Sequence, residues 1–423
     1  MNLNRPISVT RVGGKAVTQA GAGSSPRPIV GVMTIISVFY GLFVWLRIDQ
    51  FSVLWFVHLG HHFLGSTHSS VVGTNLPAQS TLGYDGQYYY AIAADPVHAH
   101  DYLPEGNAGF LYSRPLYPLL ARALSGGSIS ALPYSMLVIN LASVMVGTLA
   151  VALWLRERNV SPWFALLYGL WPGLIFSVFR DLTEPLAFGL VAVAVLVFDP
   201  KRTRRIVMAS VLLGLALLTR ETVLPFVVAT AVTLALADRQ RTSSTARSWT
   251  TLGGTRRAVV MLAACVLPLF VWRSVISSWL AKSTQERGSG LSWAIPLHGL
   301  LTYWRFDEQH WLVVGAVVMP LLIVTIAALF KGLLRRAPVA MGLLLASVLL
   351  FIVFLPKEVY VDYASAARAA LGVVLAAIFC VPAFVRAGTR RLPLATGSFL
   401  LSLGWYLVVA TALGLPGLSL ITM

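Results

Sequence analysis

Apolar residues along the chain come in runs separated by short polar connections. The runs have the length a helix needs to cross a hydrocarbon core, about 20 residues. They predict spans at 29–48, 131–154, 160–178, 182–198, 206–220, 221–237, 258–281, 311–330, 339–355, 366–386 and 392–414. The pair 206–220 and 221–237 is too short for two full crossings and predicts two broken helices meeting at Arg220 and Glu221. Irregular backbone at such depth is tolerated only around a cavity. The pattern as a whole predicts an all-α polytopic membrane protein with about 11 transmembrane helices. Residues 1–28 are polar, basic and rich in Gly, Ser and Pro, and read as a disordered tail rather than a cleavable signal. Residues 29–423 read as one transmembrane domain, with its longest polar connection at 49–130.

Composition narrows the class. Hydrophobic residues make up 57% of the 423 positions and charged residues 11%, where a soluble domain carries roughly 25% charged. An ordinary soluble enzyme is excluded. The formal charge of +16 would suggest nucleic acid in a soluble protein, but its placement gives another reading. Basic residues crowd alternate connections: Lys201, Arg202, Arg204 and Arg205; Lys331, Arg335 and Arg336; Arg386, Arg390 and Arg391. Such clusters mark the cytoplasmic face. With the tail, Arg156, Arg158 and the 238–257 loop, that face holds 21 of 32 basic residues against three acids, a net of +18. The other face keeps 11 basic and 13 acidic residues. The positive charge is therefore a topology signal, no nucleic acid partner is implied, and the acids of the outer face are the informative ones. Cys265 and Cys380 both lie inside apolar runs and imply neither a disulfide framework nor a thiolate metal site.

The outer connection 49–130 contains Gly83-Tyr84-Asp85-Gly86-Gln87-Tyr88-Tyr89-Tyr90-Ala91-Ile92-Ala93-Ala94-Asp95-Pro96. The aromatic run suits a helix lying along the membrane interface, where Tyr is enriched. Asp85 would then sit at the bilayer surface, placed to take a proton from a sugar hydroxyl. The plainer reading is that Asp85 caps the helix that follows it.

Tyr84-Asp85-Gly86-Gln87-Tyr88-Tyr89 with Ile92-Ala93, followed by Arg114-Pro115-Leu116-Tyr117-Pro118-Leu119-Leu120-Ala121-Arg122, resembles the GT-C superfamily of membrane glycosyltransferases. Two branches are similar: the PIG-V-like mannosyltransferases and a bacterial group linked to cell-surface glycopolymer formation. Arg180-Asp181-Leu182-Thr183-Glu184-Pro185-Leu186 and Thr219-Arg220-Glu221-Thr222 resemble later segments of the same proteins, in the same order. The similarity covers about the first half of the chain, and Ala94-Asp95-Pro96 departs from the Gly-Tyr of the PIG-V-like branch. The resemblance implies a GT-C fold with the catalytic acid on the first outer loop. It implies a polyprenyl-phosphate sugar as donor, and transfer of mannose or another hexose or pentose to an envelope glycan or glycolipid. On that reading Asp85 is the general base and the anomeric centre inverts. Asp95 is a second acid of the loop, or else a helix-end residue beside Pro96. A bacterial plasma membrane location, with the site facing the periplasm or exterior, goes with it.

A phosphate-linked donor leaves a lipid phosphate, so basic side chains should gather where that charge develops. Arg114, Arg180, Arg220, Arg305, Lys357 and Arg368 are the outer candidates, Arg180 and Arg220 foremost because they lie at span ends against the positive-inside tendency. The competing reading is local pairing, of Arg180 with Asp181 or Glu184 and of Arg220 with Glu221. Tyr84, Gln87 and Tyr88 are expected beside the substrate. Lys357, Tyr360 and Tyr363, and the 282–310 loop with Trp293, His298, Trp304, Arg305, Asp307 and Glu308, read first as interfacial anchors. His58, His61, His62 and His68 raise a metal site, the first three at helical spacing, weighed against amphipathic rings at a membrane boundary; with no zincin-type motif, the metal is the weaker reading. No nucleotide fingerprint stands out, and no cofactor is assigned. A transporter or flippase for lipid-linked sugars is the main alternative, since such folds carry charges near the midplane. A polysaccharide polymerase using a diphosphate-linked donor is a third, with its main loop expected later in the chain.

Overall fold

A computed structural model of the chain describes residues 26–50, 52–66, 80, 82–101, 103, 108–242, 251–280, 313–355, 357–360 and 363–384. Most of the expected tail, the 282–310 loop, His68, the 386–391 cluster and the expected span 392–414 lie outside the described residues. Among the described residues the chain is helical, and its sole β feature is an isolated bridge between Gly60 and Ser80.

Among the described residues, four helices are long and apolar enough to cross a membrane: Arg27–Asp49, Leu132–Glu157, Gly253–Leu280 and Val313–Phe330. Two bent pairs pass the same test jointly, and the number is six if each pair is one span. The expected spans 160–178 and 366–386 are these pairs. Pro162–Gly169 and Pro172–Phe179 meet at 49°, and Tyr363–Ala369 and Leu371–Phe384 at 48°. At the first bend Trp171 is extended ahead of Pro172, the residue type that restricts its predecessor and starts a new helix. Glu184–Val197, Glu221–Ala237 and Pro338–Val353 are shorter apolar helices.

We label α1 Arg27–Gln50, α2 Gly86–Ala94, α3 Leu116–Leu124, α4 Leu132–Glu157, α5 Pro172–Phe179, α6 Glu184–Val197, α7 Thr203–Thr219, α8 Leu224–Thr242, α9 Thr251–Leu280, α10 Met319–Phe330, α11 Pro338–Leu349, α12 Tyr363–Ala369 and α13 Leu371–Phe384. The expected break is present: α7 ends at Thr219, Arg220 is extended, and a single tight turn from Glu221 to Val223 leads into α8.

Helix directions sort the charges. α6 starts at Glu184 and α7 ends beside Arg220, and these two side chains touch, so the connection Lys201–Arg205 stands at the opposite end of both helices. Arg257 of α9 reaches the Pro200 carbonyl at that same basic end, while Trp272, further along α9, donates to the Tyr112 carbonyl in the long loop. The loop helices build a small core of their own over the other end. Val57, Leu59, Phe63, Tyr89, Tyr90, Leu111, Tyr112 and Tyr117 pack with Met136 and Ile139 of α4 and Leu182 and Leu186 at the start of α6. Burial of these aromatic and aliphatic faces fixes α2 against the bundle. The aromatic run therefore turns into the protein: Tyr89 and Tyr90 are buried, not spread on an interface. Tyr360 and Tyr363 are likewise buried, correcting the expectation of interfacial anchors, and the Tyr360 hydroxyl donates to the Phe351 carbonyl.

Candidate functional site

The segment before α2 is pinned by hydrogen bonds to the backbone. Gln87 is fully buried; its Oε1 accepts from the Gly60 N–H at 2.9 Å and its Nε2 donates to the Leu82 carbonyl at 3.0 Å. Both ends of the amide are thus occupied in holding the loop. Gly86 is required by close approach: a Cβ there would lie 2.1 Å from the Arg180 carbonyl oxygen. The far end of α2 is held by Arg122, whose Nη1 donates to the Ala93 and Ala94 carbonyls at 2.9 and 2.6 Å, a cationic cap on a helix C-terminus.

Asp85 occupies the N-cap position of α2, yet its side chain makes no capping hydrogen bond. The capping role that sequence alone favours is not taken up. Its carboxylate, 43% exposed, faces Arg368 of α12, with Nη2 to Oδ2 at 3.5 Å. Arg368 also donates from Nη1 to the Tyr84 hydroxyl at 2.8 Å, and its Nε lies 2.8 Å from Glu184 Oε1. Tyr84 is further bonded to Ser365 at 3.2 Å and packs edge-on against Phe176. A Cβ on Gly173 would lie 2.1 Å from the Ala367 carbonyl oxygen, so α5 and α12 meet backbone to backbone and set the Arg368 guanidinium over the first loop.

Glu184, buried, takes a second cation: Arg220 Nη1 lies 2.9 Å from the same Oε1, and Arg220 also reaches Thr183 at 3.4 Å. Beside it, Arg114 grips Glu221 with two parallel contacts, Nη2 to Oε1 at 2.7 Å and Nε to Oε2 at 3.2 Å, and donates from Nη1 to the Tyr89 hydroxyl at 3.1 Å. Burial works against charge on Arg114, but Glu221 and Tyr89 outweigh it and hold its guanidinium well above the ordinary range. The expected local pairing is corrected. Arg220 is in ion-pair contact with Glu184 and interacts with Glu221 only electrostatically, while Glu221 is hydrogen-bonded by Arg114, 107 residues earlier.

Other expected site residues do not join these ion pairs directly; Arg180 is linked to them through an electrostatic interaction with Tyr84. Arg180 is buried with its guanidinium over Trp55 at 5.4 Å and Phe176 at 5.5 Å. Asp181 turns the other way on a left-handed backbone, φ 47°, toward Asn140 of α4, which also bonds Tyr117 at 2.8 Å. Burial raises the Asp181 carboxyl well above its usual value, only partly opposed by hydrogen bonds from Asn140 and Tyr117. Tyr88 is half-buried against Phe63. Asp95 closes the other end of α2, about 15 Å from Asp85 by helix rise. Its Oδ1 accepts from the Val97 and His98 N–H groups, and both carboxylate oxygens meet the His98 ring. Slight burial would raise the Asp95 carboxyl, but those bonds hold it below its ordinary value. Asp95 thus ties its own turn and does not join Asp85. Lys357 lies in the turn Lys357–Tyr360, and its side chain is outside the described residues.

His58, His61 and His62 do not share a helical face. His58 ends the turn Leu54–Val57 in a left-handed conformation and is buried, while His61 and His62 open the next helix and are exposed. Burial and the nearby Arg180 push the His58 imidazole down to about 3. Among the described residues no group of three His, Cys, Asp or Glu side chains is placed to hold a metal ion.

Ser365 and Asn140 are not singled out by sequence, and Tyr89 and Thr183, which stand within the quoted motifs, are not assigned to the site by it. Asn140 carries a legible signal, a carboxamide within an apolar span; the hydroxyls carry none until their partners are known. No family model, curated protein or solved structure matches the chain.

Proposed function

We propose that the chain is an inverting glycosyltransferase of GT-C type. In this reading an eleven-span membrane domain moves one monosaccharide from a polyprenyl-phosphate carrier to an envelope glycan or glycolipid on the extracytoplasmic side. The observation that carries the reading is Asp85: a carboxylate at a helix start, relieved of capping, half-open to solvent, and facing Arg368, which shares Glu184 with the buried Arg220. That is the arrangement expected of a general base beside an anion-stabilising surface. Asp85 takes the proton of the acceptor hydroxyl, and that oxygen attacks C1 of the sugar opposite the phosphate. The bond from C1 to the phosphate oxygen breaks with its electron pair on the phosphate. Tyr84 lines the approach to Asp85, and Arg368, Arg220 and Arg114 supply positive potential.

A flippase is less well supported. Glu184, Arg220, Arg114 and Glu221 are closed upon one another, so a sugar moving past them would have to break buried ion pairs. Purified protein presented with a panel of polyprenyl-phosphate sugars and mixed envelope glycolipids, with and without chelator, tests the proposal. Consumption of one donor with release of lipid phosphate is expected. No consumption, with lipid-linked sugar equilibrating across proteoliposomes, overturns it.

A further inference from the structure

We infer that Arg368 exchanges partners during turnover: it holds Asp85 at rest and receives the leaving phosphate once Asp85 has taken the acceptor's proton. The inference rests on the glycosyl transfer proposed above and gives Arg368 a role in it.

The contacts of Arg368 are unequal. Nε to Glu184 and Nη1 to Tyr84 are both 2.8 Å, whereas Nη2 to Asp85 is 3.5 Å. Glu184 is 1% exposed and Asp85 43%. One edge of the guanidinium is anchored by its hydrogen bond to Tyr84, a second stands in ion-pair contact with the buried Glu184 carboxylate, and the third makes a loose contact at an open carboxylate. Arg368 can release Asp85 without moving.

Charge balance gives the reason for release. The linked set contains three cations, Arg114, Arg220 and Arg368, and three anions, Glu184, Glu221 and Asp85. In transfer the acceptor O–H bond breaks and its proton passes to Asp85. The acceptor oxygen bonds to C1, and the bond from C1 to phosphate breaks with the electron pair left on the phosphate. A singly charged phosphodiester becomes a monoester bearing about −1.5 to −2 at neutral pH. Asp85, now neutral, leaves the set with one uncompensated positive charge at Nη2 of Arg368. That charge appears as the phosphate gains its negative one. Charge-assisted bonds from an already fixed guanidinium need little reorganisation at that moment.

The test is binding of geranyl phosphate to the full-length protein in detergent micelles at one pH, with folding followed by thermal unfolding. Asp85→Asn imitates the protonated base. It is expected to bind geranyl phosphate about three- to fivefold tighter than wild type, the worth of one partly exposed ion pair. Arg368→Gln is expected to weaken binding at least about tenfold, as loss of a charge-assisted bond does. In the double variant the tightening should vanish; a cycle of this kind isolates the pairwise coupling. Where Arg368→Gln does not fold, Arg368→Lys takes its place, keeping charge but losing the fork. Unchanged or weaker binding in Asp85→Asn overturns the exchange while leaving the donor class standing. Equal tightening in the double variant also overturns it, since removal of a negative charge alone would then suffice. Geranyl phosphate binding to none of the proteins overturns the donor class, and the exchange with it.

Discussion

The two ends of α6 and α7 treat arginine in opposite ways. At one end Lys201, Arg202, Arg204 and Arg205 stand exposed, and the ion pair present, Arg202 with Asp199, spans 3.6 Å with Arg202 68% exposed. At the other, Arg220 is buried against Glu184, with Arg368 on the same oxygen and Arg114 on Glu221 alongside. Surface pairs of the first kind contribute about 0–1 kcal/mol and demand no particular partner. Buried ions of the second kind are costly to desolvate and persist where their geometry is used. One end needs only positive charge. The other needs these charges at these positions.

Substitutions that break this contrast should differ widely in effect. Glu184→Gln removes the anion shared by two buried guanidinium groups and should cost about 3–5 kcal/mol, read as a large fall in unfolding temperature or failure to accumulate in the membrane. Gly86→Ala places a Cβ against the Arg180 carbonyl and should shift α2, costing about 1–3 kcal/mol; thermal unfolding together with the transfer rate would show both faces of that shift. Asp95→Ala removes the tie between α2 and its following turn and should cost about 0.5–1 kcal/mol. Because the Asp95 carboxyl is held below its unfolded value, its contribution is present above that value and is lost as pH falls through the folded one; the difference between wild type and Asp95→Ala should close in acid. At the basic end, Arg204→Gln with Arg205→Gln should change stability by less than about 0.5 kcal/mol. A large loss there would mean that the two ends are less different than the exposures indicate.

The same contrast explains what the sequence made legible. Spans follow from runs of apolar residues, and the break at Arg220 follows from a charged pair inside such a run, because both are local properties of the chain. The bend after Gly169 carries a local signal in Pro172, but it and the bend after Ala369 escaped a reading by span length. Ion pairing escaped it further. Arg180-Asp181 and Arg220-Glu221 are adjacent in sequence, but each of these side chains looks away from its neighbour, toward Trp55, Asn140, Glu184 and Arg114. Arg368 meets Asp85 across 283 positions, a distance over which charge alone names no partner. Gln87, expected beside the substrate from its place in the Tyr84-Asp85-Gly86-Gln87 motif, is occupied by the Gly60 and Leu82 backbone. Only the fold reveals that use.

Asp85 is the point on which the functional account turns, and its isosteric replacement is the direct measurement. The Asp85→Asn protein, inserted and unfolding at the wild-type temperature, is predicted to transfer sugar from its polyprenyl-phosphate donor about 10²- to 10⁴-fold more slowly than wild type. Transfer at the wild-type rate by that variant would contradict the account.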